Sequence, residues 1–166
     1  MKTLLLLRHA KSSWADPGRD DHERPLNGRG RRGAVAIGDW IAKAGLAPDQ
    51  VLCSDAARTQ ETWARLGLPG APVLMAKLYH ADAEAMLDVV RSASGERVLV
   101  IGHNPGIAEL CDRLCEATPN HFRFAQYPTG ALTVLTFDTV NWSGLQWHSG
   151  KVSKFLTPHD LGVRKA

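Results

Sequence analysis

The stretch Lys2-Thr3-Leu4-Leu5-Leu6-Leu7-Arg8-His9 decides how the rest of the chain is interpreted. Four consecutive leucines are typical of a strand that is covered on both faces, as in the middle of a parallel sheet. The apolar run is too short for the hydrophobic region of a signal peptide. We therefore expect a buried strand that ends directly at an Arg-His pair.

Similar apolar runs recur along the chain and alternate with helical patterns. Strands are predicted at residues 3–7, 50–53, 97–101 and 131–137, with a weaker strand at 73–76 and a polar edge strand at 146–152. Helices are predicted from a cap at Asn27 to about residue 44, from Ser54 or Asp55 to 66, over 82–92, and from Asn104 to 115. This alternation predicts an α/β fold, a three-layer α/β/α sandwich with a mostly parallel central sheet.

Length and composition indicate the class of protein but not its chemistry. A chain of 166 residues predicts a single domain over residues 1–166. The net charge of +3 excludes a polybasic tail, and no apolar stretch is long enough to span a membrane. Three scattered cysteines do not form a disulfide framework, so we expect a protein of the reducing cytoplasm.

Basic and imidazole side chains follow three of the predicted strands. Arg8 and His9 come directly after the first strand, and His103 follows the third strong one within Ile101-Gly102-His103-Asn104-Pro105-Gly106. Arg58 follows the second strand, in the first turn of a predicted helix, where exposed N–H groups attract anions. Each of these residues taken alone is also compatible with a solvated loop or helix residue.

Their coincidence is more informative than any one of them. Ligands of open α/β sheets bind at the carboxyl ends of the strands, so the four side chains are expected to converge at one edge. Two guanidinium groups and two imidazoles suit a tetrahedral dianion, because guanidinium binds phosphate oxygens in pairs and stays charged. The sequence therefore predicts a phosphate site.

These motifs resemble the histidine phosphatase superfamily, and within it the short SixA-type phosphohistidine phosphatases. The resemblance is carried by Arg8-His9-Ala10, by residues 11–14 and 21–30, by residues 54–62, by Leu78-Tyr79-His80-Ala81 and by Gly102-His103-Asn104-Pro105. It extends from residue 3 to about residue 137 and implies the phosphoglycerate mutase-like form of the α/β/α sandwich.

The resemblance also implies roles for the four residues. His9 would be the nucleophile that becomes phosphorylated, while Arg8 and Arg58 hold the phosphoryl oxygens. His103 would complete the pocket in a protonated or hydrogen-bonding form, and water would then release phosphate from His9. The expected activity is that of a phosphatase that needs no metal or cofactor. Its expected substrate is a phosphohistidine on a signalling or carrier protein.

The sequence departs from the larger superfamily members in two places, and the second concerns the leaving group. Ala15 stands where those enzymes carry an asparagine, and residues 77–84 place no carboxylate clearly in position to protonate an alkoxide. An alkoxide leaves poorly without a general acid, whereas an imidazole leaves readily. The sequence therefore favours P–N over P–O substrates, with His80 as a candidate acid or pocket residue.

Other functions remain open at this stage. A phosphatase of small phosphate esters would use His80 or a nearby carboxylate as its acid. A non-catalytic phosphoprotein-binding module would use the same pocket. Such modules can lose the nucleophile, so the presence of His9 argues against this function. Basic residues between 8 and 32 are interspersed with acidic ones and lack interleaved aromatics, which disfavours nucleic acid and suits either a solvated surface or a rim for an acidic protein.

Overall fold

A computed structural model describes residues 1–164, within which the chain forms a six-stranded sheet flanked by helices. The strands are β1 (Lys2–Arg8), β2 (Gln50–Ser54), β3 (Val73–Met75), β4 (Arg97–Gly102), β5 (Leu132–Phe137) and β6 (Lys151–Leu156). The α-helices are α1 (Gly28–Lys43), α2 (Ala57–Leu66), α3 (Ala83–Arg91) and α4 (Gly106–Leu114). Across residues 1–164, no helix has the length and apolar character that a membrane crossing requires.

The sheet has the strand order β3-β2-β4-β1-β5-β6. Neighbouring pairs among β3, β2, β4 and β1 are parallel, whereas β5 runs antiparallel to β1 and β6 antiparallel to β5. The prediction of a mostly parallel sheet is confirmed, and the two antiparallel pairings lie together at one side, where β5 alone runs against the other strands. The carboxyl ends of β1, β4 and β2 consequently lie side by side at one edge.

The leucine run of β1 explains the three layers. Successive side chains of a strand point to opposite faces. Leu4 and Leu6 belong to the core formed with α3 and α4, and Leu5 and Leu7 belong to the core formed with α1 and α2. All four are at most 1% exposed. The uninterrupted run is thus the signature of a strand between two helical layers, and the predicted sandwich is confirmed.

Two predicted helix starts are wrong, and the site explains why. The side chains of Ser54, Asp55 and Asn104 do not cap α2 or α4, which begin after Ala56 and Pro105 without a side-chain cap. The Ser54 hydroxyl lies 2.8 Å from Nε2 of His103, and Asn104 donates to a main-chain carbonyl instead. Ser54 and Asn104 therefore form hydrogen bonds at the strand ends and do not cap the helices.

The last strand lies about five residues later than predicted, at Lys151–Leu156 instead of 146–152. The intervening segment forms a 3-10 turn at Trp142–Gly144, in which Trp142 is buried and donates through Nε1 to the Gly95 carbonyl at 2.7 Å. Trp142 thus belongs to the core on the α3 and α4 side of the sheet, and Trp147 packs against that core, so neither extends the sheet.

Candidate active site

The structure brings together the four side chains predicted at the strand ends. Arg8 ends β1, His9 follows it, His103 follows β4, and Arg58 lies in the first turn of α2 after β2. The ring centroids of His9 and His103 are 5.2 Å apart. His9, His103 and Arg58 are all about 5% exposed, so the site is lined by polar groups that are largely withdrawn from water.

The His9 ring is held in one tautomer. Its Nδ1 lies 2.8 Å from the carbonyl oxygen of Ala10. Because a carbonyl can only accept, Nδ1 must carry the proton, which leaves a lone pair on Nε2. Burial lowers the pKa of His9 to about 3, with the charge of Arg8 adding to that effect and the Ala10 carbonyl opposing it. His9 is therefore a neutral imidazole at physiological pH.

His103 is neutral as well, and its partner is a hydroxyl. Its Nε2 lies 2.8 Å from Oγ of Ser54, whose side chain is fully buried. Burial, followed by the charge of Arg58, lowers the pKa of His103 to about 3. Of the two forms expected for this residue, the structure therefore supports the hydrogen-bonding one rather than the protonated one.

The two arginines are anchored by main-chain carbonyls and keep donors free. Arg8 donates from Nη1 to the Tyr127 carbonyl at 3.1 Å, and Arg58 donates from Nη1 to the Asp21 carbonyl at 2.8 Å. Burial and the nearby Arg58 lower the pKa of Arg8. Nε of both arginines and Nδ1 of His103 are buried without a hydrogen-bond partner in residues 1–164. Burying a hydrogen-bonding nitrogen without a partner costs free energy unless a ligand or water bonds to it. The unpaired nitrogens therefore suit the site to binding an oxyanion.

A carboxylate that the sequence did not reveal lies beside Arg58. Asp21, in the long connection between β1 and α1, accepts from Nη2 of Arg58 at 3.1 Å and from Nη2 of Arg24 at 3.1 Å. The Tyr79 hydroxyl donates to the same carboxylate at 2.6 Å. This bond, together with the two guanidinium groups, holds the pKa of Asp21 well below its usual range. The carboxylate is ionised and cannot donate a proton at neutral pH.

A threonine of α2 connects the two arms of the site. Its hydroxyl, at Thr62, accepts from the Ala10 N–H at 3.0 Å and donates to the Arg58 carbonyl at 2.7 Å. Thr62 is 1% exposed. One buried hydroxyl thus positions both the turn after His9 and the helical turn that carries Arg58. No local sequence pattern predicts this role for Thr62.

His80 lies at the rim. It is exposed, with a left-handed φ of 59°, and its ring centroid is 3.9 Å from that of Tyr79. The Tyr79 ring in turn lies 5.5 Å from that of His103. Among the described residues, no group of three His, Cys, Asp or Glu is arranged to hold a metal ion.

Comparisons with known proteins identify the family of the chain. Residues 4–77 match the family model of the histidine phosphatase superfamily (branch 1). An uncharacterized protein of Mycobacterium leprae is 30% identical over 161 residues, which cover 92% of this chain and 99% of that protein. An uncharacterized protein of Mycobacterium tuberculosis is 34% identical over 137 residues, covering 78% of this chain and 85% of its own.

Solved structures extend the match to the whole sandwich. A proposed phosphohistidine phosphatase SixA from Nakamurella multipartitia has a TM-score of 0.84 at 30% identity, covering 95% of this chain and 96% of that one. A second proposed SixA, from Agrobacterium tumefaciens, has a TM-score of 0.74 at 29% identity, with coverages of 95% and 98%. Both sequence and fold therefore place the chain in the histidine phosphatase superfamily, in its SixA-type group.

Proposed function

We propose that the protein is a phosphohistidine phosphatase that acts through a covalent intermediate on His9. The observation that carries this proposal is a neutral His9 with its lone pair on Nε2, next to two guanidinium groups. Two related structures described as proposed phosphohistidine phosphatases support the same substrate class.

In the first step, Nε2 of His9 attacks phosphorus. An N–P bond forms from Nε2 of His9 while the P–N bond of the substrate breaks. The electron pair of that bond returns to the departing imidazole, which leaves as a neutral molecule because its other ring nitrogen carries a proton from solvent. Arg8 and Arg58 stabilise the equatorial oxygens, which is the main requirement of phosphoryl transfer. If Ser54 donates its hydroxyl proton to Nε2 of His103, Nδ1 of that ring carries the proton and donates to the same oxygens.

In the second step, water attacks phosphorus and the P–Nε2 bond breaks. The electron pair returns to Nε2 of His9, and the proton released by the water goes to the phosphate or to solvent. The proton on Nδ1 of His9 stays there throughout, donated in a hydrogen bond to the Ala10 carbonyl, so the ring begins and ends the cycle in the same tautomer. In this scheme Arg8 and Arg58 supply the positive charge, and no metal is needed.

The carboxylate of Asp21 bears on the choice of substrate. It is held as an anion by Arg58, Arg24 and Tyr79, so it is unsuited to protonating an alkoxide. General-acid assistance contributes roughly 10²–10⁴-fold, which an alkyl ester would forgo here. A phosphorylated imidazole that carries a proton on its other ring nitrogen leaves as a neutral molecule without that assistance, which supports a phosphohistidine substrate on another protein.

The test compares kcat/KM for a phosphohistidine peptide with kcat/KM for an alkyl phosphomonoester. We expect the phosphohistidine peptide to be preferred by about 100-fold or more, from the missing acid. The His80→Ala variant is measured in parallel. Equal or faster cleavage of the alkyl ester, lost in His80→Ala, would show instead a small-molecule phosphomonoesterase that uses His80 as its acid.

A further inference from the structure

A cavity with a basic lining lies next to the proposed phosphate site. We propose that this basic cavity, lined by Lys11, Arg29 and Arg123 together with Gly30, Pro128 and Pro158, binds an acidic side chain of the protein substrate. The inference rests on the proposed function and adds to it the chemistry of the partner, a phosphohistidine flanked by Asp or Glu.

The strand order places the basic cavity on the same edge of the sheet as His9. Leu7 at the end of β1 pairs with Leu132 at the start of β5, which pairs with Leu156 at the end of β6. The segment after β6 therefore returns to the edge where β1 ends, and its Pro158 lines the cavity. The proposed phosphate site lies over β1, β4 and β2, and the basic cavity lies over the adjoining side toward β6.

The loop after His9 joins the two sites directly. Ala10 and Lys11 line the cavity, so its nearest wall is one residue beyond His9. Two residues of chain cover at most about 7 Å. A substrate segment with its phosphohistidine at His9 would therefore reach the cavity with a side chain one to three positions away.

Within residues 1–164, the positive charges that line the cavity have no carboxylate partner. Its lining holds three cationic residues and no Asp or Glu among the described residues. Within residues 1–164, the side chains of Lys11 and Arg29 make no hydrogen bond or ion pair, and Nε of Arg123 is buried without a partner. The nearby Asp160 is already bound, by His121 at 2.9 Å and the Thr157 N–H at 2.8 Å.

The size of the cavity limits what it can hold. It encloses about 40 Å³, which is room for one or two waters. That space fits the carboxylate end of an Asp or Glu side chain and is too small for a nucleotide or a lipid headgroup. Guanidinium groups bind carboxylates in paired geometry, so Arg29 and Arg123 suit this occupant.

The experiment measures peptide binding rather than turnover. Two peptides carry the same stable phosphohistidine mimic, a triazole phosphonate, and differ in having Glu or Gln at the two positions on either side. Their Kd values are measured by fluorescence anisotropy with His9→Ala protein at low and high salt. We expect the Glu peptide to bind about 5- to 20-fold more tightly at low salt, with a smaller difference at high salt.

Charge-neutral variants locate the effect. Arg29→Gln and Arg123→Gln, each made in the His9→Ala background, should each remove most of the preference for Glu. Lys43→Gln removes the same charge at the far end of α1 and should retain it. In the presence of His9, both arginine variants should hydrolyse a small phosphoramidate at the wild-type rate, because that substrate does not reach the cavity.

Equal affinity for the two peptides, or a preference that survives both arginine variants, would overturn the subsite. Binding of neither peptide would overturn it as well. A wild-type protein that does not hydrolyse phosphohistidine would contradict the proposed function instead, and the binding comparison would still decide the subsite. Thermal unfolding of each variant shows whether it is folded when these results are obtained.

Discussion

Deleting the hydroxyl of Ser54 tests whether His103 is held in one tautomer for catalysis. Ser54→Ala removes one oxygen from a fully buried position and leaves the packing of β2 nearly unchanged. It also removes the partner of Nε2 of His103, at 2.8 Å. The ring, itself only 6% exposed, then has a buried nitrogen without a hydrogen bond.

The size of the effect follows from that unpaired nitrogen. A buried polar group left without its partner costs about 1–3 kcal/mol. In Ser54→Ala the hydroxyl no longer orients the His103 ring or favours the tautomer with the proton on Nδ1, whereas in the transition state Nδ1 must donate to the phosphoryl group. The loss of this orienting bond is felt on reaching the transition state, so kcat/KM should decrease about 5- to 150-fold.

The assay combines kinetics with spectroscopy, because a merely structural defect would not change the tautomer. We expect a lower kcat/KM on a phosphohistidine peptide together with ¹⁵N shifts that report a changed tautomer of His103. Ser92→Ala is the matched control, since it removes a hydroxyl that bonds to the Val89 carbonyl at the end of α3. Unchanged kinetics and an unchanged His103 tautomer in Ser54→Ala would refute the reasoning.

Three further perturbations test the construction of the site. Because the pKa values of His9 and His103 are lowered to about 3, the unfolded chain binds protons that the native one does not below about pH 6.5. The free energy of unfolding should thus fall by up to about 2 kcal/mol per histidine from pH 7 to pH 5, and equal urea midpoints would contradict this. Thr62→Val removes the hydroxyl that bonds to both Ala10 and Arg58, so it should lower the free energy of unfolding by about 1–3 kcal/mol and also lower kcat/KM. Wild-type values of both quantities would contradict a role of Thr62 in connecting the two segments. Gly30→Ala places a methyl group against the Lys11 carbonyl and should destabilise the protein by about 1–3 kcal/mol in urea, an expectation that a wild-type midpoint would rule out.

Much of the site could be predicted because its residues are tied to strand ends. The leucines before Arg8 mark a strand between two layers, and parallel neighbours end at the same edge of the sheet. Residues that directly follow such strands, as His9 and His103 do, must then lie close together. Their proximity can thus be predicted from apolar runs that a single sequence displays.

Contacts across long loops could not be predicted in the same way. Asp21 is 37 residues from Arg58, and the connection that carries it has no periodicity that fixes its path. Ser54 was expected to cap α2, since a serine before a helix has the same local pattern whether it caps the helix or bonds to a distant ring. Only the fold, which brings β4 beside β2, shows that its partner is His103.

The most direct test of the central claim is a rapid-quench experiment with a ³²P-labelled phosphohistidine substrate. The account predicts transient labelling of the protein, stable to base and lost in acid, with the label on the peptide that contains His9. His9→Ala should show neither labelling nor turnover. Turnover by wild-type protein without any labelled protein on the time scale of one cycle, or a label found on His103, would contradict it.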